Sequence, residues 1–497
     1  LEAKGRFGPL PRSHSRRTPL VRQPLTFACR TLSGSCMLTT GAQANTWSFV
    51  NHDTRTVDIF PIPAGARKLT TRPRILSRLA FLFLLGLSGP LEAQQEALTA
   101  EDCVALALKA NPGFRSIRAA LDATRAELTI ARSERFPSLG FSASAGRYQP
   151  AGSGTLSRHA LGVALRQTVY QGGRIGAQVD AAESALEAGE EDLAAARANL
   201  ILAVREAWYG VAQGERLVVS SREGLERSRL NLEYAEVRLE AGLGTRPDVL
   251  RARVDVSTAE LELTRARNTL ERARATLNIL MGQSPAAPFQ IREESLEAPL
   301  PSLPSWEVLR EQALETRQEV RAARARTAQQ EAGVRLARGA FFPSVIADAE
   351  VSRGAVASRS PDESWSLDLG LSLPIFQGFA RSGEMRVRES LLESTRFQEE
   401  AVSRQVEGEV WEALLAERES ARRLENARAL FEAAQENLEA AQESYRQGLG
   451  SMIALVDART AFTEAEQTLI RARYDRRVAR AVLERVVWGD TFGGHPS

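Results

Sequence analysis

The sequence predicts a mainly α-helical chain with a transmembrane β portion, built from two copies of one unit. Three observations predict it. Marks recur at one fixed spacing along the chain, long runs of helical period end at Gly-Leu-Gly turns, and two short regions switch to a period of 2.

The spacing is 206 residues. It carries Gly242 onto Gly448, Phe136-Pro137-Ser138 onto Phe342-Pro343-Ser344, Tyr170-Gln171-Gly172 onto Phe376-Gln377-Gly378, and Glu206-Ala207 onto Glu412-Ala413. An ungapped shift over so many positions makes each half one structural unit.

Composition excludes several function classes. Residues 1–93 hold 13 Lys and Arg against 4 Asp and Glu, leaving 51 against 58 in the rest, so the body is mildly acidic. That balance gives no electrostatic footprint for nucleic acid. Cys29, Cys36 and Cys103 form no CxxC pair, and His14, His52, His159 and His495 lie in no HExxH context. There is no P-loop, no GxSxG elbow and no dinucleotide fingerprint. Carboxylates sit beside arginines at helix-surface positions, which reads as a solvated face. The expectation is no enzyme, no cofactor and no metal.

Residues 1–68 lack periodicity and begin with Leu1 rather than Met, and are read as disordered translation upstream of the true start. Residues 69–93 carry a basic stretch, Arg72 to Arg78, an apolar run, LAFLFLLGL, and small residues ending at Ala93. That is the pattern of a secretory signal peptide, with an apolar core too short to span a bilayer.

The first repeat is placed at 94–281. Thr99 and Glu101-Asp102 give start signals for a helix to Ser133, interrupted at Asn111-Pro112. A β-hairpin follows over 138–171, in which Leu161, Val163 and Leu165 alternate with Gly162, Ala164 and Arg166. From Gly173 to Ala241 helical period runs unbroken for roughly 100 Å, a coiled-coil length. The tip at 242–247 then reverses the chain into a return helix, because glycine supplies the left-handed backbone that ends a helix.

A Pro-rich linker, 282–305, joins this unit to the second repeat at 306–489, and 490–497 form a tail. The second hairpin, 344–377, shows its period more plainly. Leu367, Leu369, Leu371, Leu373 and Ile375 share one face, and Ser366, Asp368 and Ser372 the other. The second long helix ends at a tip over 448–452. Return helices alternate Leu with Ala at a and d positions, as in Leu263, Ala266, Leu270, Ala273 and Leu277, which lets neighbouring helices approach closely.

Strands of about ten residues with one apolar and one polar face suit the wall of a water-filled barrel. On that reading Leu161, Val163, Leu165, Leu367, Leu369, Leu371 and Leu373 face lipid. A soluble sandwich packing the same face inward is the alternative. Two hairpins are too few to close a barrel, so other subunits must cover the sheet edges.

The signal pattern, the duplicated helix–hairpin–helix–helix halves and the tips Ala241-Gly242-Leu243-Gly244-Thr245 and Gln447-Gly448-Leu449-Gly450-Ser451 resemble the TolC-type outer-membrane channels, over essentially all of residues 98–489. The resemblance implies a homotrimer in the outer membrane of a Gram-negative bacterium. Its 12-stranded barrel would stand on an α-helical tunnel in the periplasm. Implied partners are a periplasmic adaptor, an inner-membrane RND or ABC transporter, and outer-membrane lipid. The implied function is the exit duct of an efflux pump or type I secretion system. A periplasmic coiled-coil adaptor or scaffold without channel activity is the competing reading.

The same resemblance assigns residues at the tips. Tyr445 matches a tyrosine that closes the family's tip, Asp248 an aspartate bonded to it, and Asp457 a ring carboxylate. A heptad core position would equally account for Tyr445. Ala454 stands where relatives are acidic, and a nearby tip-tying arginine is replaced around Gly450, which implies looser closure or closure through Arg246. Gly242, Leu243, Gly244, Thr245, Gly448, Leu449, Gly450 and Ser451 are the expected docking turns.

Overall fold

The computed structural model describes residues 97–489, apart from 150, 153, 293–299 and 357–360. The expected upstream segment, signal peptide and C-terminal tail lie outside the described residues.

Thr99 starts α1 (Ala100–Ala110) in a capping box, donating its N–H to Asp102 at 3.0 Å and accepting the Asp102 N–H at 3.2 Å. Asn111 then turns to extended backbone, caps Phe114 and hands over to α2 (Pro112–Ser133) with proline at the first position. The second half breaks at the same place, between α5 (Trp306–Thr316) and α6 (Gln318–Gly339), without a proline. The cause there is tertiary. Arg317 is almost fully buried and reaches the Val486 carbonyl at 3.0 Å, Glu409 at 2.8 Å and Glu319 at 2.8 Å.

β1 (Ser138–Tyr148), β2 (Leu156–Gln171), β3 (Ser344–Val356) and β4 (Asp362–Ser372) form one antiparallel sheet in that order. Paired residues share a face. Leu139, Leu165, Ala349 and Leu367 therefore form one apolar row, and Phe141, Val163, Val351 and Trp365 the next. A bulge between Thr168 and Tyr170 shifts the β2–β3 register near its end. Leu373 and Ile375 lie beyond β4 rather than in it. Pro374 has no N–H to continue the ladder, and Arg381 takes its carbonyl.

The long helices are α3 (Arg174–Glu240) and α7 (Ala380–Arg446), each of 67 residues, with return helices α4 (Arg246–Leu280) and α8 (Met452–Trp488). Their core is a series of narrow strips. Around Trp208 the strip joins Cys103, Val211, Leu277 and Met281, and a second strip joins Leu309, Val410, Leu414 and Leu483. Each buried aliphatic side chain contributes roughly 1.5–3 kcal/mol, so stability is spread along the rod. The linker folds back at this level. Leu98 bridges Ile291 in parallel, and Asn278 donates to Pro285 and Ala287.

Candidate functional site

Both tips are built the same way. The last turn of α3 gives its Arg238 carbonyl to the N–H groups of Leu243 and Gly244, each at 2.9 Å, while Gly242 adopts φ +71°. In the second copy the Ser444 carbonyl takes Leu449 and Gly450, also at 2.9 Å, with Gly448 at φ +75°. Gly244 and Gly450 pack so closely on the preceding turn that a Cβ would lie about 3 Å from its backbone. Thr245 precedes α4, where Asp248 accepts from its N–H at 3.1 Å and its hydroxyl at 2.7 Å. Ser451 caps α8 through the Ala454 N–H at 3.2 Å. Leu243 and Leu449 project outward, 72% and 82% exposed, as two apolar points at the end of the rod.

Tyr445 is buried among Ala235, Val249, Met452 and Leu455, so it is a core residue of the joint between the two hairpins. The bond expected between Tyr445 and Asp248 is not formed in this chain. Asp248 occupies the first turn of α4 and bonds back to Thr245 instead. Burial pushes the Tyr445 phenol up; Arg238 opposes the shift, and Asp248 and Tyr234 add to it. Arg246 is exposed on the first turn of α4 and Asp457 on the second turn of α8, both outside the Tyr445 cluster.

The group that ties the tips is one the sequence reading missed. Arg238 donates to the Tyr445 carbonyl at 3.1 Å and the Leu243 carbonyl at 3.2 Å, with its guanidinium 5.0 Å from the Tyr445 ring centre. Tyr234 meets Tyr445 edge-on at 5.8 Å. A cation in the last turn complements the helix C-terminus, and that was the available signal. Further up, buried Arg459 pairs with Asp255, and burial followed by Arg227 lowers its pKa to about 10. Glu466 accepts from Ser220 at 2.6 Å and faces Arg227. Arg459 and Glu466 interrupt the heptad stripe of Leu455, Phe462 and Leu469. Charges on an apolar stripe mark a buried polar joint.

The sheet divides its chemistry by face. Phe141 and Leu369 are 71% and 74% exposed, and Leu161, Val163, Leu165, Leu367 and Leu371 are exposed on the same face. The opposite face carries Ser142, Arg166, Asp348, Glu350 and Asp368, with Arg166 and Asp348 paired at 3.2 Å. Among the described residues no helix is long and apolar enough to cross a membrane. The exposed apolar band belongs to the strands.

The family model described as outer membrane efflux protein matches residues 103–283 and 309–487. Outer membrane protein OprJ of Pseudomonas aeruginosa is 29% identical over 408 residues, covering 78% of this chain and 83% of OprJ. The crystal structure of a membrane protein from Pseudomonas aeruginosa superposes with a TM-score of 0.69 at 26% identity, over 78% of this chain and 93% of that one. The open state of the Neisseria gonorrhoeae MtrE outer membrane channel shares the fold, with a TM-score of 0.70 at 22% identity over 79% of this chain and 89% of MtrE.

Proposed function

The chain therefore belongs to the outer membrane efflux protein family, and we propose that three copies of it form one passive exit duct through the outer membrane. The observation that carries this reading is the sheet. Among the described residues, four strands leave β1 and β4 as open edges, with a continuous apolar face on one side and a charged face on the other. An open edge cannot lie in hydrocarbon, so the sheet must be closed by further copies. Four strands from each of three copies make a barrel whose lipid-facing rows are Leu161, Val163, Leu165, Leu367, Leu369 and Leu371. Arg166, Asp348, Glu350 and Asp368 then line water.

The helical rod continues the duct into the periplasm, where the six turns of a trimer converge. Their exposed Leu243 and Leu449 offer apolar knobs to a periplasmic adaptor, and an RND or ABC transporter delivers cargo from the inner membrane. Three Asp457 carboxylates at the mouth raise the local concentration of cations. A coiled-coil scaffold leaves the apolar sheet face without a purpose.

The test is insertion. Leu369→Arg reduces recovery of assembled protein in outer-membrane fractions, at roughly 2–4 kcal/mol for a charge near the bilayer midplane. Asp368→Arg, its neighbour on the opposite face, leaves recovery close to wild type. Equal tolerance on both faces contradicts the barrel.

A further inference from the structure

The duplication does more than copy a fold; it specifies how one copy meets the next. Inside the chain, α6 is sandwiched between α3 and α7, and it buries ten of its residues. Its counterpart α2 lies against α3 and buries three, Leu121, Leu128 and Ala131. The long helices differ in the same sense. Over Arg174–Asn199, α3 buries Ala177, Val179, Ala188, Ala195 and Ala198. Over the equivalent Ala380–Gln405, α7 buries none. Among the described residues two faces are unpartnered, one on α2 and one on α7, and the shift of 206 relates them as it relates the paired faces of α6 and α3.

We propose that α7 of one copy seats on α2 of the next in the register by which α3 seats on α6, through a seam that is apolar where the internal one is ionic. This rests on the trimeric reading above and gives it a residue-level interface. The crossovers support the register. Within the chain, Gly172 comes so close to the Gly339 carbonyl and Phe342 that no Cβ fits, and a Cβ on Gly339 would strike the Arg174 side chain at 2.5 Å. The shift carries these four onto Gly378, Ser133, Phe136 and Ala380. Gly378 has open space around it in the single chain. The size relation is exchanged in complementary fashion. Glycine faces arginine in the internal crossover, and serine faces alanine in the one between copies.

The chemistry of the seam follows from the same mapping. Three ion pairs tie α3 to α6: Asp180–Arg335 at 2.9 Å, Asp192–Arg326, and Glu191–Arg321 at 3.8 Å. They map onto Arg386 with Thr129, Gln398 with Ala120, and Phe397 with Arg115. None of these can form an ion pair. In their place stand large apolar side chains that the single chain leaves in water. Val387 and Phe397 are 52% and 63% exposed on α7, facing the levels of Ile130 and Ile117 on α2, which are 65% and 39% exposed. A second copy covers all four.

The experiment places cysteines at Thr129→Cys and Arg386→Cys in full-length protein in which Cys29, Cys36 and Cys103 are replaced by serine, in detergent, with a short bismaleimide. The expected result is a ladder of cross-linked dimers and trimers, undiminished in about 1 M salt, where charge pairs are screened. The control pair, Asp180→Cys with Arg335→Cys, cross-links within one chain and leaves its mass unchanged. A protein that is trimeric by light scattering yet gives no Thr129–Arg386 product overturns this seam while the trimeric duct stands. A monomer overturns both. A ladder that disappears in high salt overturns the apolar character of the seam.

Discussion

The chain ties its helices together at two levels, and the two knots differ in kind. Midway along the rod, Arg317 and Arg485 are almost wholly buried against Glu319 and Glu409, with Asn199 bonded to Arg485 at 2.8 Å. At the tip a single half-exposed guanidinium, Arg238, reaches two carbonyls and stacks on one ring. A buried ionic knot cannot lose one member without stranding a charge. A cation on carbonyls at the surface can let go and be hydrated. The difference is between a tie whose breaking leaves a charge buried and a tie that water can replace.

The largest expected effect comes from cutting the middle knot. Arg317→Ala takes from Glu409 the cation it pairs with, leaves Glu319 to Arg485 alone, and destabilises the chain by about 3 kcal/mol, read as a lowered denaturation midpoint. A loss below about 1 kcal/mol would place this knot in the same class as exposed pairs.

Acid tests the same knot without a mutation. Burial raises the Glu319 pKa, but Arg317 and Arg485 outweigh it and hold the carboxyl down at about 2, against 4.5 for the free group. A depressed carboxylate stabilises the folded state above its unfolded pKa. That stability is lost as pH falls from about 4.5 toward 2. Denaturation midpoints measured through this window should fall in wild type and stay flatter in Glu319→Gln.

Cutting the tip has a smaller and local effect. Arg238→Ala removes hydrogen bonds from a charged donor, each worth about 1.5–3 kcal/mol, and its expected signature is faster amide exchange confined to residues 232–250 and 441–456. The duplicate position supplies the sharper comparison. Ser444 stands where the shift would place this arginine, and Ser444→Ala should leave exchange at both tips near wild type. If Arg238→Ala also loosens the level of Trp208, the two knots are not separate.

The sequence disclosed what repeats and hid what does not. The 206-residue shift, the period-2 runs and the Gly-Leu-Gly turns each depend on local backbone chemistry, so the helices, the hairpins and the tips were legible. The break at Arg317 carries no proline or glycine of its own; the shift from Asn111 points to its place, but not to the carboxylate 92 residues away on α7 that holds it. Leu373 reads as strand by alternation, and only Pro374 beside it signals the end. Arg238 was less legible, because its partner is the Tyr445 backbone carbonyl, which no side-chain motif can announce. Arg459 and Glu466 break the α8 stripe of Leu455, Phe462 and Leu469, a signal the sequence reading passed over, and their partners Asp255 and Ser220 leave no mark in the sequence.

The central proposal is a water-filled duct, with the Arg238 tie at the tip proposed as its point of release. Single-channel conductance in planar bilayers tests it most directly, comparing wild type with Arg238→Ala combined with Tyr445→Phe, which leaves the middle knot intact. The account predicts a low-conductance channel for wild type and a several-fold increase for the double variant. Unchanged conductance in a variant that inserts normally would contradict it and move the constriction elsewhere along the rod.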